Sequence, residues 1–590
     1  MAETLARLFR HTISFDKPDA ILTKESGEYR PISASELYRR VGRLQLEFKE
    51  AGVKAGDRLA LLSENRWEWA VADFAMMSAG LINVPIYSTL TAEQIEYLLQ
   101  HSECKVAMVS SQEQLAKIQQ IWEKLPKLEG VITFDKVESD DERIVDIGKL
   151  IGDDPLSAEQ TEAFEASISS VEPGDLASLI YTSGTTGAPK GVMLTHGSLA
   201  ASTRDCPIEI FASDVCLSFL PLCHVAERVA DYVYFFNGAT VAYAESLETV
   251  PDNMREVQPT ATIGVPRFFE KVHEKVMAAI EAAPPIRQKL FHWAIAVGSR
   301  ATPYILRGEE PPLGIRLQRA LADKIVLSKL RGRLGGRFRM LFSGAAPLGK
   351  HLAEFFHAAG LPIYEAYGLT ETSALISANT PEAVKLGTVG KPMRGLEVRI
   401  APDGEILVRG PGVMSGYYKE PEKTAEVIKD GWFSTGDIGE LDSDGFLKIT
   451  DRKKDLFKTS GGKYIAPQPI ENELKTSLYI STAIVVAEKR KFPSVMVVPD
   501  FERLRKFATD QGLPSDSIEK LCEEAKVVEL VQEEVNRICE HLPRYEQPKK
   551  VLILHKELTI ADGELTPTMK VRRRAVEERN AARIESLYSS

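Results

Sequence analysis

The sequence predicts an α/β protein: a large N-terminal domain of layered, mostly parallel sheets with helices, and a small α+β C-terminal domain. Two observations predict it. Short apolar runs alternate with helix-patterned segments over most of the chain, which favours parallel sheets covered by helices. In order, Arg58–Ser63 reads as a strand, Trp67–Ala79 as a largely buried helix, Val84–Tyr87 as a strand and Leu176–Tyr181 as a short buried strand. Past about residue 450 the pattern changes: a helix around Pro469–Leu478, strands at Thr482–Ala487 and Val495–Val498, then charged helices through Glu502–Leu542. The domains are therefore expected at 1–450, with a helical insertion at about 275–330, and at 451–590.

Length and composition agree with a globular chain of several folding units: 590 residues, 44% of them apolar. A net charge of −11 speaks against a nucleic-acid surface. The cysteines at 104, 206, 216, 223, 522 and 539 have neither Cys-x-x-Cys spacing nor the density of a disulfide framework. They are expected as reduced, mostly buried thiols, with no zinc. No window of about 18 uninterrupted apolar residues appears, and the first residues lack a signal-peptide pattern, so a soluble, cytoplasmic protein is expected.

The most informative segment is Tyr181-Thr182-Ser183-Gly184-Thr185-Thr186-Gly187-Ala188-Pro189-Lys190-Gly191. Glycines at 184, 187 and 191 let backbone N–H groups approach phosphate oxygens with no Cβ in the way. Thr182, Ser183, Thr185 and Thr186 add hydroxyls, and Lys190 adds a point charge. Together they suit a polyphosphate. A P-loop NTPase has its lysine directly after a glycine and before a Ser/Thr, whereas here Pro189 precedes Lys190 and Gly191 follows it.

Four further segments follow in order. In Tyr364-Glu365-Ala366-Tyr367-Gly368-Leu369-Thr370-Glu371-Thr372, Tyr367 offers a flat face for a purine, Thr370 a hydroxyl and Glu371 a hard oxygen ligand for Mg²⁺. Upstream, Gly344, Ala345 and Ala346 are small enough for the backbone to lie against a base. Gly431-Trp432-Phe433-Ser434-Thr435-Gly436-Asp437 places an acceptor-only carboxylate suited to a vicinal diol. The span Thr450–Lys463 concentrates cations and glycines, and Leu565-Thr566-Pro567-Thr568-Met569-Lys570 sets a lysine close to the C-terminus.

In this order the segments resemble those of the adenylate-forming superfamily, which includes acyl-CoA synthetases, luciferases and the adenylation domains of peptide synthetases. The resemblance covers nearly the whole chain. It implies ATP, Mg²⁺ and coenzyme A as cofactor and co-substrates, with Glu371 and Thr182 as magnesium ligands and Lys190 on the phosphates. Thr370 would meet the α-phosphate, and Gly344, Ala345, Ala346, Tyr367 and Gly368 would surround the adenine. Asp437 would accept both ribose hydroxyls, Arg452 would contact the ribose, and Lys454 and Lys458 the polar edge of the nucleotide. Asp451 falls at the hinge between the domains, and Lys570 is the mobile catalytic lysine. His224, in Leu220-Pro221-Leu222-Cys223-His224, matches the position beside the acyl carboxylate. Tyr464 falls one residue late in the pattern and receives no role.

The implied reaction joins a carboxylate to AMP and then to the thiol of coenzyme A. Gly264–Val272 and the long helical insertion behind it resemble the long-chain fatty acyl-CoA synthetases, with a fatty acid as substrate. Most apolar residues of that insertion, among them Leu290-Phe291, Trp293–Val297 and Tyr304–Leu306, are expected as core. A peripheral contact at the inner membrane face stays an open alternative, and oligomeric state is not legible. Three rival functions share the motifs. A fatty acyl-AMP ligase feeding a carrier protein would need an insertion after the adenine segment, and Leu375–Arg394 is short. A luciferase-type reductase is not separated by motifs. A non-catalytic nucleotide-binding scaffold finds no support, since Lys190, Glu371, Asp437 and Lys570 are all present.

Overall fold

The computed structural model describes residues 3–182, 188–453, 456–458, 464–514, 517–559, 562–566 and 571–589, with backbone alone at Lys458 and Tyr464. Chain contacts divide the protein into two units. One comprises Met1–Pro347, Leu352–Val398 and Leu407–Ser434; the other comprises Leu348–His351, Arg399–Ile406 and Thr435–Ser590.

The first unit holds two sheets. One has a parallel centre in the spatial order Ile363–Tyr367, Met340–Ser343, Ala261–Gly264, Val215–Ser218, Thr240–Tyr243 and Ile21–Glu25. Short antiparallel strands finish both edges. The other runs in parallel through Ile144–Asp146, Gly130–Thr133, Val106–Val109, Arg58–Leu62, Ile82–Ile86 and Leu176–Thr182. It ends in two antiparallel strands, Lys190–Thr195 and Gly416–Tyr417. Helix Trp67–Ser78 is buried along its length from Glu68 to Ser78. Its neighbours in the core explain this: Leu59, Leu61 and Val192 come from one sheet, and Val241 and Met340 from the other. A helix apolar over most of its circumference belongs between layers.

One buried ion pair ties this layer together. Arg228, on helix Val225–Phe236, donates from Nη2 to Asp73 Oδ1 at 2.5 Å and from Nη1 to Ser178 Oγ at 2.7 Å. Tyr232 Oη donates to Asp73 Oδ2 at 2.5 Å, and Asn83 Nδ2 donates to Asp73 Oδ1 at 2.7 Å. A fully buried charge is tolerated because its donors and acceptors are matched; removing one partner costs about 3–5 kcal/mol. The strand leading to the phosphate-type loop is thus fixed to both helices.

Helices Pro266–Glu281, Pro285–Leu306 and Leu313–Ala322 follow strand Ala261–Gly264. Phe291, Ala294 and Val297 are buried as expected of core, but Leu290 and Ile305 are exposed. Periodicity marks an apolar residue without telling which side of the helix meets the protein.

The second unit centres on strands Ile480–Val486, Ser494–Pro499 and Val551–Ile553. Residues of helices Pro467–Leu474, Phe501–Asp510 and Ala525–Ile538 join one core cluster of this sheet, and those of Arg573–Arg579 and Ala581–Tyr588 join another. This is the small α+β body that the sequence predicts. Among the described residues no helix is long and apolar enough to cross a membrane. The six cysteines are free, all buried except the half-buried Cys206.

Candidate active site

Four neighbouring parallel strands of the first unit release their chains at one end of the sheet. Val215–Ser218 leads to His224, Ala261–Gly264 to Pro266, Met340–Ser343 to Gly344-Ala345-Ala346, and Ile363–Tyr367 to Gly368-Leu369-Thr370-Glu371. The carboxyl ends of parallel strands are where open α/β sheets form ligand crevices. The sheet brings the small-residue segment beside the Tyr367 segment: Ser343 stands opposite Glu365, and a Cβ on Gly344 would sit 3.6 Å from the carbonyl oxygen of Ala366. Gly344 N–H donates to the Gly264 carbonyl at 3.2 Å. Ala345 has φ +67°, a conformation that costs an alanine energy and that marks a constrained loop.

Gly368 is dictated by space. A Cβ there would fall 1.9 Å from the carbonyl oxygen of Ala374, within the turn that returns the chain after Glu371. The turn Thr370–Thr372 is closed by Thr372, whose hydroxyl accepts from Leu369 N–H at 3.0 Å. It lies against strand Lys190–Thr195 of the other sheet. That strand forms a hairpin with Leu176–Thr182, and at its loop end Thr182 pairs with Lys190, so the two residues flanking the glycine-rich segment face each other in register.

Tyr417 joins these pieces, and sequence reasoning missed it. It pairs with Val192 through strand Gly416–Tyr417. Its hydroxyl donates to Glu371 Oε1 at 2.9 Å, and Lys190 Nζ lies 4.7 Å from its ring centroid. Burial, then the charge of Glu371 and the hydrogen bond to it, push the Tyr417 hydroxyl well above its ordinary pKa, so it keeps its proton and donates. The backbone of Glu371 is pinned as well, its carbonyl accepting from Met414 N–H at 2.8 Å. No motif marks a tyrosine supplied by a two-residue strand far along the chain; only the pairing reveals it.

His224 caps helix Val225–Phe236, its Nδ1 accepting from Ala226 N–H at 3.2 Å. The loop before it is held from behind: buried Glu227 accepts from Phe219 N–H at 3.0 Å, and Asn65 Nδ2 donates to the Leu220 carbonyl at 2.6 Å.

In the second unit Asp437 and Arg452 face each other across adjacent strands, with Arg452 Nε 3.1 Å from Asp437 Oδ1. Asp437 is buried, and its N–H donates to Thr435 Oγ1 at 3.1 Å. Asp451 is buried beside this pair, its Oδ1 accepting from Arg452 N–H at 2.6 Å. Ser183, Gly184, Thr185, Thr186, Gly187, Lys454 and Lys570 lie outside the described residues, as does the side chain of Lys458.

The hard oxygens on these elements suit a magnesium ion: Glu371 keeps a carboxylate oxygen beyond the Tyr417 bond, and Thr182 brings a hydroxyl at the loop end of its hairpin, donors of the kind that hold Mg²⁺ together with substrate phosphates.

Comparison with known proteins agrees with this layout. The AMP-binding enzyme family profile matches residues 12–418, and that of the AMP-binding enzyme C-terminal domain matches residues 454–590. The chain is 35% identical to the long-chain-fatty-acid–CoA ligase FadD15 of Mycobacterium tuberculosis, covering 99% of this chain and 96% of that protein. It is 33% identical to the long-chain-fatty-acid–CoA ligase 5 of Rattus norvegicus, covering 100% and 89% respectively. In fold it is similar to the crystal structure of the anthranilate CoA ligase AuaEII with anthranoyl-AMP, at a TM-score of 0.73, 19% identity and coverage of 99% and 98%. It is also similar to the adenylation domain of a carboxylate reductase from Mycobacterium chelonae, at a TM-score of 0.77, 22% identity and coverage of 100% and 91%.

Proposed function

We infer that this chain, which belongs to the AMP-binding enzyme family, converts a long-chain fatty acid to its acyl-adenylate and passes the acyl group to coenzyme A. It is a long-chain fatty acid–CoA ligase that releases AMP and pyrophosphate. The named relatives support that substrate class at 33–35% identity over almost the whole chain. The observation that carries the chemistry is the placement of Lys190 and Glu371 against one tyrosine, Tyr417, where the glycine-rich hairpin meets the turn Thr370–Thr372.

Direct attack of a thiol on a carboxylate fails because oxide is a poor leaving group. We propose that the carboxylate oxygen first attacks the α-phosphorus of ATP and that the bond to pyrophosphate breaks. Lys190 and the loop N–H groups neutralise the charge accumulating on the departing oxygens. Thr370 donates to the α-phosphate, and Glu371 and Thr182 would hold the magnesium ion. That ion, when bound, supplies counter-charge to the phosphates. Lys570 neutralises the repulsion between the incoming carboxylate and the α-phosphate. His224 orients the acyl carboxylate. Gly344, Ala345, Ala346, Tyr367 and Gly368 line the adenine side. Asp437 accepts from the ribose hydroxyls, with Arg452 paired to it beside the sugar, and Lys454 and Lys458 meet the nucleotide's polar edge.

In the second half-reaction the coenzyme A sulfur attacks the acyl carbon and AMP leaves with the bonding electrons. We propose that rotation at Asp451 withdraws Lys570 and brings the Gly461-Gly462 segment toward the pantetheine, so one small domain serves both steps. For a long-chain acid, which partitions into bilayers, a peripheral membrane contact belongs to this proposal.

The test is thioester formation from acids running from acetate to arachidate, with ATP, Mg²⁺ and coenzyme A, following AMP and pyrophosphate. Maximal turnover on long chains is expected. Acyl-AMP without thioester would instead make the chain a carrier-linked ligase, and no adenylate from any acid would remove the enzymatic reading.

A further inference from the structure

Residues 285–333 carry ten Lys/Arg against three Asp/Glu, in a chain whose net charge is −11. Their helices are also turned the unusual way round. Helix Pro285–Leu306 packs inward closely: a Cβ on Gly298 would fall 2.1 Å from the carbonyl oxygen of Ala358. Helix Leu313–Ala322 lies on it, joined by Arg300 Nη2 donating to Gln318 Oε1 at 2.6 Å. The inward contacts of this second layer come from Ala322, Val326 and Leu327. Leu313, Leu317 and Leu321, spaced by four residues, are 68%, 65% and 51% exposed, and Ile325 continues the row.

An amphipathic helix ordinarily buries its large apolar residues. Here a small alanine is inside and the leucines face outward as a contiguous row, unlike the scattered exposed residues normal on a soluble surface. The cations of residues 285–333 are only partly neutralised. Arg307, Arg316 and Arg331 pair with Glu309, Glu310 and Asp323, while Arg287, Lys289, Arg319, Lys324, Lys329 and Arg333 make no ion pair among the described residues.

We propose that this face docks onto an anionic lipid bilayer, the leucines entering the boundary between headgroups and acyl chains and the cations meeting lipid phosphates. Charge selects this occupant. A second copy presenting the same patch across a two-fold axis would set positive against positive. The proposal takes its purpose from the fatty-acid reading, since a long-chain acid resides in bilayers, but its evidence is the exposed row and its charge.

The experiment is flotation of the full chain with vesicles of phosphatidylcholine alone, or containing about a third phosphatidylglycerol, at low and high salt. Binding to the anionic vesicles, weakened by salt and absent from phosphatidylcholine alone, is expected. Leu317→Glu with Leu321→Glu should reduce it at least about tenfold, as two inserted side chains are lost. Lys324→Glu with Lys329→Glu should do the same without touching the leucines. Both variants should keep the native rate of thioester formation from a water-soluble acid. No binding to anionic vesicles, or equal binding by the variants, would overturn the proposal. So would a dimer in light scattering that the leucine variant dissolves while vesicles go unbound. Vesicle binding by a chain that forms no thioester would support this surface and refute the ligase reading.

Discussion

The Tyr417 hydroxyl donates to Glu371 Oε1 at 2.9 Å from a ring that also lies 4.7 Å below Lys190 Nζ. Two opposite charges with different tasks therefore share one rigid support. A hydrogen bond to a charged group is worth about 1.5–3 kcal/mol. Tyr417→Phe, which keeps the ring, is expected to lower kcat/KM about tenfold and to raise the Mg²⁺ concentration needed for half-maximal rate. Tyr417→Leu, which also removes the cation–π contact, should cost more. Steady-state kinetics over a magnesium titration checks both.

Lys570 is assigned to the adenylation step alone. Lys570→Ala should depress acid-dependent ATP–pyrophosphate exchange by about a hundredfold or more, while thioester formation from preformed acyl-AMP stays within a few-fold of native. Exchange unchanged with thioesterification lost would move the lysine to the other half-reaction.

Gly368 has no room for a side chain, its Cβ position lying 1.9 Å from the Ala374 carbonyl oxygen. Gly368→Ala should destabilise the protein by about 1–3 kcal/mol and reduce exchange activity, because the turn carrying Thr370 and Glu371 must shift. Gly314, with nothing within 4 Å of its Cβ position and a place in helix Leu313–Ala322, is the contrast. Gly314→Ala should leave activity intact and add up to about 1 kcal/mol. Thermal unfolding beside exchange assays separates the two cases.

His196 lies in the core with neither ring nitrogen hydrogen-bonded, and burial depresses its pKa to about 4. The unfolded chain, with an ordinary histidine near 6.5, binds the proton first as pH falls. Stability should therefore decline between about pH 6.5 and pH 4, by up to about 3 kcal/mol from this group. In His196→Leu that part of the acid sensitivity should vanish, so the Tm difference from native grows on going from pH 7.5 to pH 5. A difference independent of pH would mean that the native imidazole titrates normally.

The α/β architecture was legible because strands such as Leu176–Thr182 are short, mostly apolar runs and helix Trp67–Ser78 is apolar over most of its circumference, as buried layers require. The grouping of the Tyr367 segment with Gly344 follows from two adjacent parallel strands, an arrangement that motif order hints at but does not contain. Tyr417 was invisible, since its role depends on a two-residue strand pairing with a hairpin more than two hundred residues earlier. The outward leucines were unreadable for another reason. A four-residue spacing defines a stripe, and only packing decides whether that stripe meets the protein or the solvent.

The Arg228–Asp73 pair has a consequence for synthesis of the chain. The two residues are 155 positions apart. On a ribosome adding about 5–20 residues per second, Asp73 emerges roughly 8–30 s before its guanidinium. Until then the carboxylate has no cation for its buried seat, so helix Trp67–Ser78 cannot settle between the layers. Nascent chains shorter than about 230 residues should keep that apolar helix accessible to chaperones, and fragments ending before Arg228 should not yield a stable first sheet.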